Sequence, residues 1–155
     1  VNLTQERVDK LSALPLDKMP LKDSFAIVRG NGKRKLVVFE DPNCSFCKRF
    51  EKDLATLDNI TIHVLLYPVL GPDSLTKSKH IWCAKDKAKA FEDWMLKNIT
   101  PVAATCDTSA LDRNLAFGQA NRITGTPTSF TASGVRLAGA LPVAQIEQAL
   151  AAEGK

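Results

Sequence analysis

The chain lacks most of what would assign it to a specialised class. No apolar run approaches the ~20 residues that a membrane-spanning helix needs, and neither an internal repeat nor a low-complexity tract is present. The net charge of +4 is mild, and aromatics make up only 6% of residues. No basic stripe interleaved with aromatics exists, so composition gives no nucleic-acid surface. Lys33-Arg34-Lys35, the densest basic cluster, reads as a solvated turn and strand start. Histidine is scarce: His63 and His80 are the two, and neither has an evident partner in sequence. The chain begins at Val1 without an apolar leader, as a processed or shortened chain would. What remains is 155 residues, 45% apolar and 25% charged, the balance of one soluble globular domain.

Cysteine is rare as well, four in all, and two of the four form the motif around which the chain is organised. Apolar β-formers at 36–39 lead into Phe39-Glu-Asp-Pro-Asn-Cys-Ser-Phe-Cys-Lys-Arg. An amphipathic run leads out, with Phe46, Phe50, Leu54 and Leu57 at helical spacing. Cys44 is therefore expected at a strand-to-helix junction, with Cys47 one turn further in. Free N–H groups and the helix dipole at such a junction favour a thiolate over a thiol. The thiolate is the nucleophile of disulfide exchange, and Cys47 lies on the same helical face, able to attack a mixed disulfide formed at Cys44. A C-x-x-C can also be half of a zinc site, but the strand before it and the helix after it favour redox chemistry. Glu40 and Asp41 fall near the second thiol. Either could relay its proton, or both could form an exposed strand end. Cys83 and Cys106 either pair in a structural disulfide, which would indicate an oxidising compartment, or join the first two around zinc. Their spacing fits common zinc sites poorly, which favours the disulfide.

Taken in order, residues 2–14 read as a peripheral linker helix that Pro15 and Pro20 convert to an extended connection. A strand over 24–29, the turn Gly30-Asn31-Gly32 and a strand over 33–40 read as a hairpin. The cysteine helix runs to about residue 57. A strand over 60–67 completes a β-α-β unit, which makes it parallel to 33–40. Residues 74–123 read as a helical insert with helices over 74–87, 88–98 and from 108, with Trp82 and Trp94 in the core. Gly125-Thr-Pro, a short hairpin over 128–138 and a helix over 143–152 close the chain.

This order, β, active-site helix, β, helical insert, Thr-Pro, hairpin, helix, resembles a thioredoxin fold carrying an insertion. The α/β class follows, with an N-terminal linker over 1–23 and a thioredoxin-like catalytic domain over 24–155. The motif around Cys44, the run Ile81-Trp-Cys-Ala-Lys-Asp-Lys-Ala-Lys-Ala-Phe, and Gly125-Thr-Pro together resemble the DsbC/DsbG family of bacterial periplasmic disulfide isomerases. The resemblance implies Cys44 as attacking thiol, Cys47 as resolving thiol and Cys83–Cys106 as a non-catalytic disulfide. It also implies a cis-proline loop at Thr126-Pro127 facing the dithiol, with Thr126, Pro127, Ser45 and Phe46 meeting the substrate. Neither metal nor cofactor is expected. The implied partners are proteins with non-native disulfides and a reducing thiol-disulfide protein of the DsbD-like membrane type, all in the periplasm. Nucleic acid is not among them. The intervening dipeptide is Ser45-Phe46 where familiar members carry Gly-Tyr or Pro-Tyr. Members also have an N-terminal dimerisation domain, so this stretch alone is expected to be monomeric, and dimeric only with such a domain. A net dithiol oxidase is the near alternative, and a peptide-gripping chaperone-like or zinc-binding module the distant one.

Overall fold

The computed structural model describes residues 13–153. Among them a five-stranded sheet has the order β1-β3-β2-β4-β5. The strands are β1 (Phe25–Arg29), β2 (Arg34–Glu40), β3 (Ile60–Leu66), β4 (Thr128–Thr131) and β5 (Arg136–Ala138). Five helices accompany it: α1 (Ser45–Leu54), α2 (Pro72–Trp82), α3 (Lys87–Lys97), α4 (Ser109–Ala120) and α5 (Val143–Glu153). None of the described helices is long and apolar enough to cross a membrane.

β2 and β3 are parallel, as the β-α-β unit requires, with Leu36 opposite Ile62 and Glu40 opposite Leu66. The 36–40 stretch of β2 and nearly all of β3 are buried on two faces, the pattern of central strands. Successive side chains divide between the two faces. Leu36, Val38, Ile62, Val64 and Leu66 join Phe50 and Leu54 of α1, Phe91 and Met95 of α3 and Ile146 of α5 in one core. Val37, Phe39, Leu65, Tyr67 and Phe130 form the second core on the other face.

The expected hairpin of β1 with β2 is not formed. β1 pairs antiparallel with β3, and Arg29 and Arg34 both register with Ile60. Residues 30–33 arch over the start of β3, with Gly30 and Gly32 at φ +58° and +65°. Asn59 braces the arch: its side chain accepts from the Asn31 amide at 3.0 Å and its carbonyl from the Arg34 amide at 3.0 Å. The positive-φ glycines suit either connection, and burial decides between them. β1 alternates buried and exposed residues and takes the edge, which leaves the almost wholly buried β3 at the sheet interior.

The predicted linker helix lies mostly outside the described residues. Its last residues, Ala13 and Leu14, are not helical. The expected extended connection is instead two 3-10 turns, Leu16–Lys18 and Leu21–Asp23. Nor is the segment peripheral. Met19 is buried, and Leu14, Leu16 and Leu21 pack on the second core. Arg113 of α4 clamps the buried Asp23 with Nη2 at 2.7 Å and Nε at 2.9 Å from its two oxygens.

Close packing also fixes Gly118 in α4. A Cβ there would lie 2.2 Å from Cε1 of Tyr67, whose ring is buried and whose hydroxyl donates to the Ile123 carbonyl at 2.8 Å. Alanine improves helix propensity, by about 1 kcal/mol. The pinned ring cannot give way, so the clash outweighs it. Gly118→Ala is expected to lose about 1–3 kcal/mol of stability, read as a lower urea midpoint at constant slope.

Candidate active site

β2 carries the chain to a buried Glu40, and the turn 41–44 swings it into α1. Asp41 ties this turn together. It is fully buried, and its carboxylate accepts four bonds: Oδ1 from the Asn43 amide at 2.8 Å and the Ser74 hydroxyl at 2.7 Å, Oδ2 from the Val69 and Leu70 amides at 2.8 and 2.9 Å. Two further contacts come from the helical region. Trp94 Nε1 donates to the Pro42 carbonyl at 2.6 Å, and Asn43 Nδ2 donates to Asp73 at 2.8 Å. A turn held at three successive residues delivers Cys44 to the N-cap of α1.

There the Cys44 sulfur accepts the Cys47 amide at 3.2 Å, filling the place an N-cap oxygen usually takes. On its other side the sulfur lies 3.5 Å from the Thr126 carbonyl, to which a protonated thiol can donate. The Thr126-Pro127 peptide is cis. Pro127 offers no amide, and its carbonyl is taken by the Gly139 amide at 2.9 Å, which ties this loop to the end of β5. The two cysteines are free thiols of unequal access: Cys44 is 5% exposed and Cys47 0%. Phe46 points outward and is 58% exposed, so it does not belong to the apolar stripe expected of it. That stripe is Cys47, Phe50, Leu54 and Leu57. Phe46, Val69 and Leu70 are exposed apolar side chains set on the active-site turn or on the loop that Asp41 holds against it.

The expectation for Glu40 and Asp41 divides. Neither lies at an exposed strand end. Asp41 spends both carboxylate oxygens on bonds that hold the turn. Glu40 has no hydrogen-bond partner for either carboxyl oxygen. Burial, then the neighbouring Glu51, then Cys44 push its carboxyl well above the usual range. Burial, then Glu40, push the Cys47 thiol far up. Glu51, seven residues after Cys44 on α1, is equally buried and equally unpartnered. It was not singled out from the sequence, where a glutamate within Lys-Arg-Phe-Glu-Lys reads as solvated. Its carboxyl lies near enough to that of Glu40 for the two to share a hydrogen bond when one of them carries a proton.

Trp94, expected only as core, is half-buried and in contact with two cations. Lys48 Nζ sits 3.7 Å and Lys77 Nζ 4.7 Å from its ring centroid. Lys48 also donates to Asn98 at 2.9 Å, and Lys77 pairs with Asp73. Burial, then the Lys77 and Lys52 charges, lower the Lys48 ammonium. No local pattern in the sequence marks this residue as the strut of the cysteine turn.

Cys83 and Cys106 are bonded to each other, with Cα atoms 5.5 Å apart. The four cysteines therefore do not share one site. The bond ties the end of α2 to the connection before α4.

The thioredoxin-like domain family matches residues 21–153. The probable thiol:disulfide interchange protein DsbC of Bordetella pertussis is 45% identical over 149 residues, 96% of this chain and 53% of that protein. The thiol:disulfide interchange protein DsbC of Escherichia coli K12 is 34% identical over 123 residues, 76% of this chain and 51% of that protein. The chain thus spans about half the length of the curated relatives it matches. Among solved structures, a disulfide interchange protein from Neisseria gonorrhoeae superimposes with a TM-score of 0.81 at 36% identity, covering 86% of this chain and 97% of that one.

Proposed function

The chain belongs to the thioredoxin-like family and, within it, to the DsbC-type thiol:disulfide interchange proteins, and on that premise we propose that it exchanges disulfides with protein substrates, as isomerase or reductase. One observation supports this above the others. Of two free thiols one turn apart, only Cys44 reaches solvent, and its sulfur lies between a helix N-terminal amide and the Thr126 carbonyl.

The Cys44 thiolate attacks one sulfur of a substrate disulfide. A Cys44–substrate bond forms, the substrate S–S bond breaks, and the released substrate thiolate takes a proton from water. In isomerisation another substrate thiolate then displaces Cys44, leaving a rearranged disulfide and a reduced enzyme. In reduction Cys47 gives its proton to Glu40 and attacks the Cys44 sulfur. The second substrate thiolate leaves and the Cys44–Cys47 disulfide forms. Thr126 and Pro127 with Ser45 and Phe46 line the approach, and Phe46, Val69 and Leu70 offer an apolar rim that tolerates varied sequence. The catalytic body includes residues 13–23, since these pack on the second core. The compartment is the periplasm, where a reducing thiol-disulfide protein keeps Cys44 reduced.

Refolding of a scrambled multi-disulfide protein, alongside reduction of an intact one, tests this reading. The reduced chain is expected to accelerate at least the reduction, and Cys44→Ser to accelerate neither. Equal acceleration by wild type and Cys44→Ser would overturn it.

A further inference from the structure

The reductive half of the cycle leaves a problem of proton balance. Cys47 is 0% exposed, so its thiol proton has no direct route to water. Glu40 is close enough to act on it electrostatically, yet burial raises the Glu40 carboxyl and favours its protonated form, which must pass its proton on before it can take another. Glu51 is the neighbour beyond. Two fully buried carboxyls that receive no hydrogen bond from any other group are costly and rarely kept without a use.

Their surroundings differ. Glu40, at the end of β2, lies within electrostatic reach of Cys44, Cys47 and Glu51. Glu51, on α1, faces Glu40, Arg29 of β1 and Glu92 of α3. Burial raises the Glu51 carboxyl most, the Glu40 carboxyl and Arg29 favour its ionised form, and Glu92 opposes it. The Arg29 guanidinium reaches Leu54 O at 3.5 Å and Glu92 at 3.1 Å, and the side chains of that ion pair are 18% and 30% exposed. One end of the pair of acids therefore meets the sulfurs. The other ends at a wet edge formed by β1, α1 and α3.

We propose that Glu51 is the second stage of an internal proton path: it accepts the Glu40 proton, which frees Glu40 to take the proton of Cys47, and it releases its own at the Arg29–Glu92 edge. This rests on the reading of Cys47 as resolving thiol and Glu40 as its base. During resolution the Cys47 S–H bond breaks, its electron pair forms the Cys44–Cys47 bond, and the Cys44–substrate bond breaks toward the substrate sulfur. The Cys47 proton moves to Glu40 as the Glu40 proton moves to Glu51. Water at the edge receives one proton, and the departing substrate thiolate takes one from solvent. The path opens away from the substrate face, so it stays wet while a substrate covers Cys44. Glu51 touches neither reacting sulfur and is a positioning residue for the proton.

The test is a single-turnover experiment on the intact chain with a disulfide-containing protein, timing formation and then decay of the mixed disulfide across pH. Glu51→Gln is expected to slow decay about tenfold or more, toward the range of a lost general base. Formation is expected to stay within about twofold of wild type, because Cys44 attack does not use the path. Replacing Glu51 also removes a charge that raises Glu40, but burial, the largest cause, persists, so the lost rate should return only at higher pH. Glu40→Gln is expected to slow decay as well. Slow decay in Glu40→Gln with wild-type decay in Glu51→Gln would overturn the inference and leave Glu40 as base. Normal decay in both would overturn both roles. Equal slowing of formation and decay in Glu51→Gln would mark a structural role and overturn the inference. Folding is not expected to obscure the result. A carboxyl raised in the folded state binds protons that the unfolded chain has lost, so stability falls as pH rises from the ordinary carboxylate range to the raised value. Glu51→Gln should therefore be at least as stable as wild type at neutral pH, and Glu51→Leu, of similar volume, provides a second variant with the same expected kinetics.

Discussion

Cys44→Ser should reduce thiol-disulfide exchange to background, a loss greater than about a thousandfold, the scale seen when a nucleophile is removed. A serine hydroxyl at this N-cap would accept the Cys47 amide as well as sulfur does, so the helix start survives and the loss is chemical. Cys47→Ser should fail differently. Cys44 still attacks, but nothing inside the protein displaces the substrate, and the mixed disulfide accumulates. Isomerisation by an outside substrate thiol would continue in Cys47→Ser while net reduction stops. The contrast is read by following reduction of a protein disulfide and separating covalent adducts under non-reducing conditions. A Cys44→Ser variant that retains exchange would place the nucleophile elsewhere.

Asp41→Ala should be the most damaging change outside the sulfurs. Removing its carboxylate strands the Asn43, Val69 and Leu70 amides and the Ser74 hydroxyl, all of which donate to it. The cost should be about 3–5 kcal/mol, because several donors lose a charged acceptor at one buried point. Denaturation in urea would read it. Asp41→Asn keeps one carbonyl oxygen and should fall between wild type and alanine. Exchange should slow in step, because the turn that delivers Cys44 loses one of its three holds and keeps only Trp94 on Pro42 and Asp73 on Asn43. A small loss of stability with unchanged exchange would show that the other two suffice.

What could be read in the sequence was local in its physics. A strand run, a turn, a C-x-x-C and an amphipathic helix lie in one contiguous stretch, so the place of Cys44 at the start of α1 follows from neighbours in the chain. The parallel pairing of β2 with β3 follows from the helix between them. The strand order does not, because Gly30 and Gly32 serve an arch over β3 as well as a tight hairpin, and only burial across the whole sheet decides. Phe46 illustrates the limit of helical spacing: it sits within a turn of the buried stripe and still faces out. Glu51 shows the reverse, a charged residue in a charged run that the fold turns inward against Glu40. Trp94 is separated from Pro42 by 52 residues, so no spacing rule joins them.

The inequality between two sulfurs underlies every step from first attack to proton release. It is measured by treating the reduced native chain with iodoacetamide at neutral pH and mapping the modified cysteines by mass spectrometry. Cys44 should carry the label within minutes, and Cys47 should gain it only after the chain is unfolded. Equal labelling of both in the native chain, or of neither, would contradict the roles assigned here.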